Sequence, residues 1–414
     1  MSRNIEPKAR RTASRCALAA GALLCAAGWA QAQDYPHAQE PIGTVEQIYD
    51  GHLTPDLAVN TFRNIDRLFP VRTIAAGDEP RALPEALQDL EARVSLETEG
   101  GTYDLYDFLA LDNVAGMIVL KDGAVVYETY QRGNTPETRW MSMSVAKSIT
   151  STLVGAAIRD GAIGSVDDMV VDYVPSLAGS AYDGVSIHDV LLMASGVQWN
   201  ETYTDPESDR RDLLRAQIAQ EPGAAMAVMA ALPRAGEPGS IHNYSTGETQ
   251  VLGEVVHGAV GGPIADYLSE KIWKPYGMEA DANWWLDSPD GVEIGGSGIS
   301  ATLRDYARFG QFFLDGGVID GTPVLPDGWT EEAGQPQELS DGSTIEYGLM
   351  WWPGWTEDSI ADGAYAAIGI EGQNVYINPT RDVVIVTHMA QPKPLGKEPI
   401  DPMAFFDAVV AALE

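Results

Sequence analysis

Two β-hairpin patterns stand near opposite ends of this chain, and they constrain its fold more than any other feature. The first runs from Met117 to Leu120, turns at Lys121-Asp122-Gly123 and returns over Ala124 to Tyr127. The second runs from Val375 to Ile377, turns over Asn378-Pro379-Thr380-Arg381-Asp382 and returns over Val383 to Thr387. Between them the apolar period becomes helical. Ser186 and Asp189 form a capping box ahead of Val190, Leu191 and Leu192, and Thr302 and Asp305 do the same ahead of Leu303 to Leu314. Pro263 opens a further helical run to Ile272. Sheet at both ends with helices between implies an α+β fold. Its antiparallel sheet is assembled from residues about 105–135 and 345–414, flanked by helices and carrying an inserted helical lobe over about 160–300. A cleft between lobe and sheet is the expected place for a site. No repeat or low-complexity tract divides the chain, which predicts a single domain over residues 33–414.

Residues 1–32 read as an export signal. Arg3, Lys8, Arg10, Arg11 and Arg15 precede the apolar run Cys16 to Trp29, which ends at the small-x-small site Ala30-Gln31-Ala32. The run is too short to span a bilayer, so removal of the signal leaves no stable membrane insertion and a periplasmic or secreted protein. Both cysteines, Cys16 and Cys25, lie in this segment, which removes disulfides, thiol catalysis and cysteine-ligated metals from the mature chain. A formal net charge of -34 repels phosphate backbones and anionic lipid surfaces, so nucleic acid is not an expected partner.

The G-x-S-x-G nucleophile elbow, H-E-x-x-H and G-x-x-x-x-G-K-[ST] are all absent. What remains is Ser144-Val145-Ala146-Lys147, early in a buried helical pattern from Ser144 to Ile158 that Gly161 ends. At i and i+3 the hydroxyl and the amine share one helix face, and a desolvated lysine can take a proton from a serine that is otherwise a poor nucleophile. A bare S-x-x-K is also compatible with an exposed lysine on an ordinary helix. The loop Ile241 to Thr246 places Tyr244 ahead of a helix over Gly247 to Ala259, where a phenol could relay protons or simply cap the core. Gly369-Ile370-Glu371-Gly372-Gln373 opens the last hairpin; its glycines mark either close approach of another group or a bulge. His188 and His242 have no second ligand at metal spacing and read as structural. Trp351, Trp352 and Trp355 fit either a pocket wall or the core. No metal or cofactor is implied.

These three elements, in this order, resemble the serine β-lactamase and penicillin-binding protein superfamily, in its class C-like branch with family VIII carboxylesterases and 6-aminohexanoate-dimer hydrolases. Supporting marks are Leu191-Leu192-Met193-Ala194-Ser195-Gly196-Val197, Ile272-Trp273-Lys274-Pro275-Tyr276-Gly277-Met278 and Gly296-Ser297-Gly298-Ile299-Ser300-Ala301-Thr302. The resemblance implies that Ser144 is acylated, Lys147 is its base and Tyr244 is a shared acid and base, with the backbone N–H groups of Ser144 and Ile370 as the oxyanion hole. Two departures stand out. Ile368-Gly369-Ile370 followed by Glu371 replaces the Lys-Thr-Gly of the β-lactamases, and Thr246 replaces an asparagine. The resemblance also makes Tyr203 a substrate-contacting residue, and Glu371 is expected to border the acyl pocket. The implied function is an exported serine hydrolase of carboxylic esters or small linear amides. A β-lactamase or D-Ala-D-Ala carboxypeptidase is the first alternative, and a catalytically silent peptide-binding module the second. With Glu371 at the pocket and no lysine in place of the missing one, neutral or amine-terminated substrates should be preferred to anionic ones.

Overall fold

In the central sheet every second residue faces a different core. Six strands, β1 (Val114–Lys121), β2 (Ala124–Tyr130), β3 (Trp352–Pro353), β4 (Tyr365–Gly369), β5 (Gln373–Asn378) and β6 (Val383–Met389), lie in the order β3-β4-β5-β6-β1-β2. All neighbours are antiparallel, and the two hairpins meet where β6 joins β1 with Val386 opposite Ile118 and Ile385 opposite Val119. Alternation along β1 sends Ile118 and Leu120 into one apolar cluster and Met117 and Val119 into another. On the second face pack helices α1 (Leu105–Leu111) and α6 (Pro402–Ala412), with Phe108 stacked on Phe405 at 4.0 Å. On the first face lie α2 (Val145–Asp160) and α5 (Leu303–Leu314). Gly310 lets α5 sit directly on the sheet, because a Cβ there would come within 2.6 Å of Val384.

The computed structural model describes residues 35–413, in two units: residues 35–40, a turn in which His37 bonds Glu40 at 3.1 Å, and residues 41–413. The export signal read in residues 1–32, with both cysteines, lies outside the described residues. Among the described residues no helix is long and apolar enough to cross a membrane.

The inserted lobe contains α3 (Asp209–Ala219) and α4 (Thr246–Val260). The helix caps follow the sequence: in the lobe Ser186 accepts from the Asp189 N–H, and on the central sheet Thr302 accepts from the Asp305 N–H ahead of α5 and Gly161 closes α2 at φ 78°. One feature differs from the expected helical lobe. Val71–Ile74, Ala282–Trp285, Ile299–Thr302 and Arg139–Met141 form a second, four-stranded antiparallel sheet. This sheet delivers the chain to α2. Ser142 N–H donates to the Ile299 carbonyl at 2.7 Å and Ile299 N–H returns a bond to Ser142 Oγ at 3.1 Å, which fixes the turn just before Ser144.

Candidate active site

Ser144 sits at the N-cap of α2, but its side chain caps nothing. Met143 before it is held at φ 43°, a conformation that costs a non-glycine residue energy and turns the Ser144 hydroxyl out of the helix. The hydroxyl is instead engaged by Lys147, whose Nζ donates to Ser144 Oγ at 2.8 Å and to the Gly296 carbonyl at 2.9 Å. Both residues are buried, Ser144 at 8% exposure and Lys147 at 1%. Burial brings the lysine down from 10.5 to about 7; Glu201 opposes that shift and Arg210 assists it. At neutral pH a large fraction of Lys147 is therefore an unprotonated amine in contact with a hydroxyl. Gly296 has to be glycine for this contact, since a Cβ would meet Thr246 at 2.8 Å and Lys147 Nζ at 3.4 Å.

Tyr244 faces the same hydroxyl from the loop before α4. Burial pushes its phenol well above the usual range and Glu201 adds to that, while the nearby Ser144 hydroxyl favours the ionised form. The Lys147 ammonium position is 5.4 Å from the Tyr244 ring centroid, so serine, lysine and phenol form one cluster. Tyr244 is held by stacking on Trp352 at 5.5 Å and by an edge contact with Tyr347 at 6.0 Å. Its loop is tied down by Glu201, whose carboxylate accepts from Thr246 N–H at 2.9 Å, Thr246 Oγ1 at 2.5 Å and Trp199 Nε1 at 2.5 Å. Thr246, at the position where the resemblance expects asparagine, thus serves a carboxylate.

Gly369 brings β4 against the turn that carries Ser144: a Cβ there would lie 2.6 Å from the Ser142 carbonyl and 3.0 Å from Ser144 N. The main-chain N–H groups of Ser144 and Ile370 have no acceptor among the described residues, which leaves both free for a developing oxyanion. Ser144, Tyr244, Ile368, Ile370 and Trp352 line a cavity of about 630 Å³, closed on its other sides by residues 201–204 and by Lys393, Pro394, Leu395 and Lys397. Its size and apolar wall suit a small molecule. Tyr203 also lines it and stacks on Tyr49 at 6.1 Å.

Glu371 does not border this pocket. It turns inward at φ 64° in the three-residue corner between β4 and β5, is 3% exposed, and burial raises its carboxyl well above the usual range. Ile370 faces the cavity instead. The premise for rejecting anionic substrates therefore falls, and two lysines that the sequence reading passed over, Lys393 and Lys397, line the wall. Glu201 and Arg210 were also not read from the sequence. Arg210, at the start of α3 and 3% exposed, donates to the Tyr49 hydroxyl, lies 4.3 Å over the Tyr49 ring and has no ion-paired carboxylate among the described residues. His242 is structural, bonded to the Leu192 carbonyl at 2.7 Å. Trp352 is a pocket wall, Trp351 is core stacked on Phe313, and Trp355 is exposed.

Residues 111–409 match the family model described as Beta-lactamase. The chain is 35% identical over 291 residues to the 6-aminohexanoate-dimer hydrolase of Paenarthrobacter ureafaciens, covering 67% of this chain and 72% of that protein. It is 25% identical to the D-aminopeptidase of Brucella anthropi over 56% of this chain and 47% of the relative, so it spans about half the length of that protein. Among solved structures it is similar to the "Putative 6-aminohexanoate-dimer hydrolase from Bacillus anthracis", with a TM-score of 0.73 at 23% identity, covering 85% of this chain and 92% of that one.

Proposed function

This chain belongs to the beta-lactamase family and is a serine hydrolase of that fold, and from that premise we propose that it cleaves carboxylic esters or small linear amides through an acyl-enzyme on Ser144. The observation that carries the proposal is the 2.8 Å contact between Ser144 Oγ and a buried Lys147 brought down to about 7. Neutral Lys147 takes the Oγ proton as Oγ attacks the substrate carbonyl, and the tetrahedral oxyanion is received by the N–H groups of Ser144 and Ile370. The bond from the carbonyl carbon to the leaving oxygen or nitrogen then breaks, with Tyr244 giving the leaving group its proton and recovering one from protonated Lys147. Water repeats the sequence in the second half: it loses a proton to the same pair, attacks the acyl carbon and releases the acid, and Ser144 Oγ takes the proton back. Tyr203, Trp352 and Ile370 shape the pocket around the substrate. The export signal read in residues 1–32 would place this activity in the periplasm or outside the cell, which N-terminal sequencing of the exported protein tests.

A panel of p-nitrophenyl hexanoate, a 6-aminohexanoate dimer and nitrocefin, each with a Ser144→Ala control, tests the function. Turnover of the ester or the linear amide that disappears in Ser144→Ala is the expected result. No turnover of either would overturn the proposal, and nitrocefin hydrolysis at the rate of the best ester would replace it with a β-lactamase.

A further inference from the structure

The two N–H groups of the oxyanion hole come from distant parts of the chain: Ser144 opens α2, and Ile370 stands in the corner between β4 and β5. Two donors act on one oxygen only if their separation is held to within about 0.5 Å. No strand pairing joins them. Arg139–Met141, which leads into Ser144, belongs to the four-stranded sheet, whereas the Ile370 corner belongs to the central one. A single side chain spans the two. Gln373, which ends the Gly369 to Gln373 motif, is 2% exposed, and both lone pairs and both protons of its amide are in use. Its Oε1 accepts from the Trp140 Nε1–H at 2.8 Å and from the Met389 N–H at 3.3 Å. Its Nε2 donates to the Glu371 carbonyl at 3.1 Å and to the Met389 carbonyl at 2.8 Å. Trp140 precedes Ser144 on the strand that delivers it, is fully buried, and is held edge-on to Phe62 at 5.8 Å and stacked on His388 at 5.6 Å. Glu371 follows Ile370 directly. The paired register of β5 and β6 begins at Asn374 opposite Thr387, and beyond it the Gln373 amide takes up both main-chain groups of Met389. The bridge is therefore anchored on β6 and reaches both halves of the hole.

We infer that Gln373 is a positioning residue for acylation: through Trp140 on one side and the Glu371 carbonyl on the other, its amide fixes the separation of the Ser144 and Ile370 N–H groups. This rests on Ser144 being the nucleophile. Gln373 lies behind the cavity wall that Ile368 and Ile370 form, so it acts on the donors and touches no substrate. A misplaced donor matters little to an uncharged substrate carbonyl and most when negative charge gathers on its oxygen. The loss should therefore appear in the rate constant and not in binding.

Single-turnover acylation tests the inference, using whichever of p-nitrophenyl hexanoate and the 6-aminohexanoate dimer is turned over, with rates expressed per Ser144 site titrated by a fluorophosphonate. Trp140→Phe removes one donor from the bridge and leaves Gln373 Oε1 its bond from Met389. It should lower the saturating rate constant about 3- to 10-fold, and Gln373→Leu, which removes the whole bridge, about 10- to 100-fold, short of the loss of an oxyanion donor itself. Combining the two should cost no more than Gln373→Leu alone, because both break one bridge. In each variant the half-saturating substrate concentration should stay within about twofold and the acid limb of the rate profile should not move. A side chain that only supported folding would reduce the number of titrated sites and the melting temperature and leave the rate per site intact. An unaltered rate per site in Trp140→Phe, or a raised half-saturating concentration at an unaltered rate constant, would overturn the inference while leaving the nucleophile in place; Trp140→Phe decides this even where Gln373→Leu does not fold. If neither substrate is turned over and the fluorophosphonate adds no mass to Ser144, the nucleophile reading and this inference fall together.

Discussion

Ser144 and Ser195 each share a hydrogen bond with a buried ionisable side chain, and of these two only Ser144 opens on a cavity. Lys147 donates to Ser144, which lines the pocket; Ser195 donates to Glu248 inside the lobe, where Ser195 has no exposure at all. Burial drives both partners toward their neutral forms, Lys147 down to about 7 and Glu248 up to about 8. The chemical consequences are opposite. A neutral amine holds a lone pair that can receive a proton, whereas a neutral carboxyl has lost its basicity. Ser195 is moreover used by the chain itself, accepting from Val197 N–H at 3.1 Å. A shifted ionisable group becomes a reagent where the shift leaves it reactive and a cavity brings it a substrate; elsewhere it is a packing element with a pH dependence.

The largest effect should separate the two serines. Ser144→Ala should reduce turnover by at least about 10³-fold with the melting temperature little changed. Ser195→Ala should keep most of the activity and lose about 1–3 kcal/mol of stability, because the buried Glu248 loses its hydroxyl partner. A folded Ser195→Ala as inactive as Ser144→Ala would break the comparison. Next come the proton carriers. Lys147→Arg, which stays protonated, should lose nearly all acylation, and Tyr244→Phe about 10²-fold; single-turnover kinetics with an activated ester measure both.

The pH responses sharpen the contrast. Acylation should rise with pH through about 7 as Lys147 loses its proton. For Glu248 the unfolded chain ionises near 4.5 and the folded one near 8, so the unfolded state binds fewer protons in between and stability falls as pH rises through that window. Lys147 acts over a different window: unfolded it keeps its proton to 10.5, folded it loses it near 7, and stability falls as pH descends from 10.5 to 7. Denaturant titrations of Glu248→Gln should flatten the first slope and leave the second. The smallest effect is assigned to Arg210, whose charge helps hold Lys147 down. Arg210→Gln should move the acid limb of the rate profile slightly to higher pH, and an acid shift would contradict the electrostatic role.

Local patterns made the central sheet and the pairing of Ser144 with Lys147 legible. Both hairpins, the caps at Ser186 and Thr302 and the spacing of Ser144 and Lys147 are set by neighbours within a few residues, and each is visible in sequence. The second sheet was not, because its strands of three or four residues around Ile74, Met141, Trp284 and Ala301 are too short for a period and are joined only by tertiary pairing. The same holds for Glu201 meeting Thr246 and for Lys393 reaching Gly51. Glu371 was misplaced by a single residue. Its left-handed corner changes which of two neighbours faces the cavity, and Gly372 beside it, at φ 92°, was the signal for that corner. The two lysines carried one compositional cue, a Pro- and Gly-rich run, Gln391 to Lys397, bearing two bases in an acidic chain.

The most direct test of the central claim is the position and pH dependence of a covalent adduct. After reaction with a fluorophosphonate, peptide mapping should place the added mass on Ser144, with a labelling rate that rises through pH about 7 and collapses in Lys147→Arg. An adduct on another residue with Ser144 unmodified, or a labelling rate indifferent to pH and to Lys147→Arg, would contradict it.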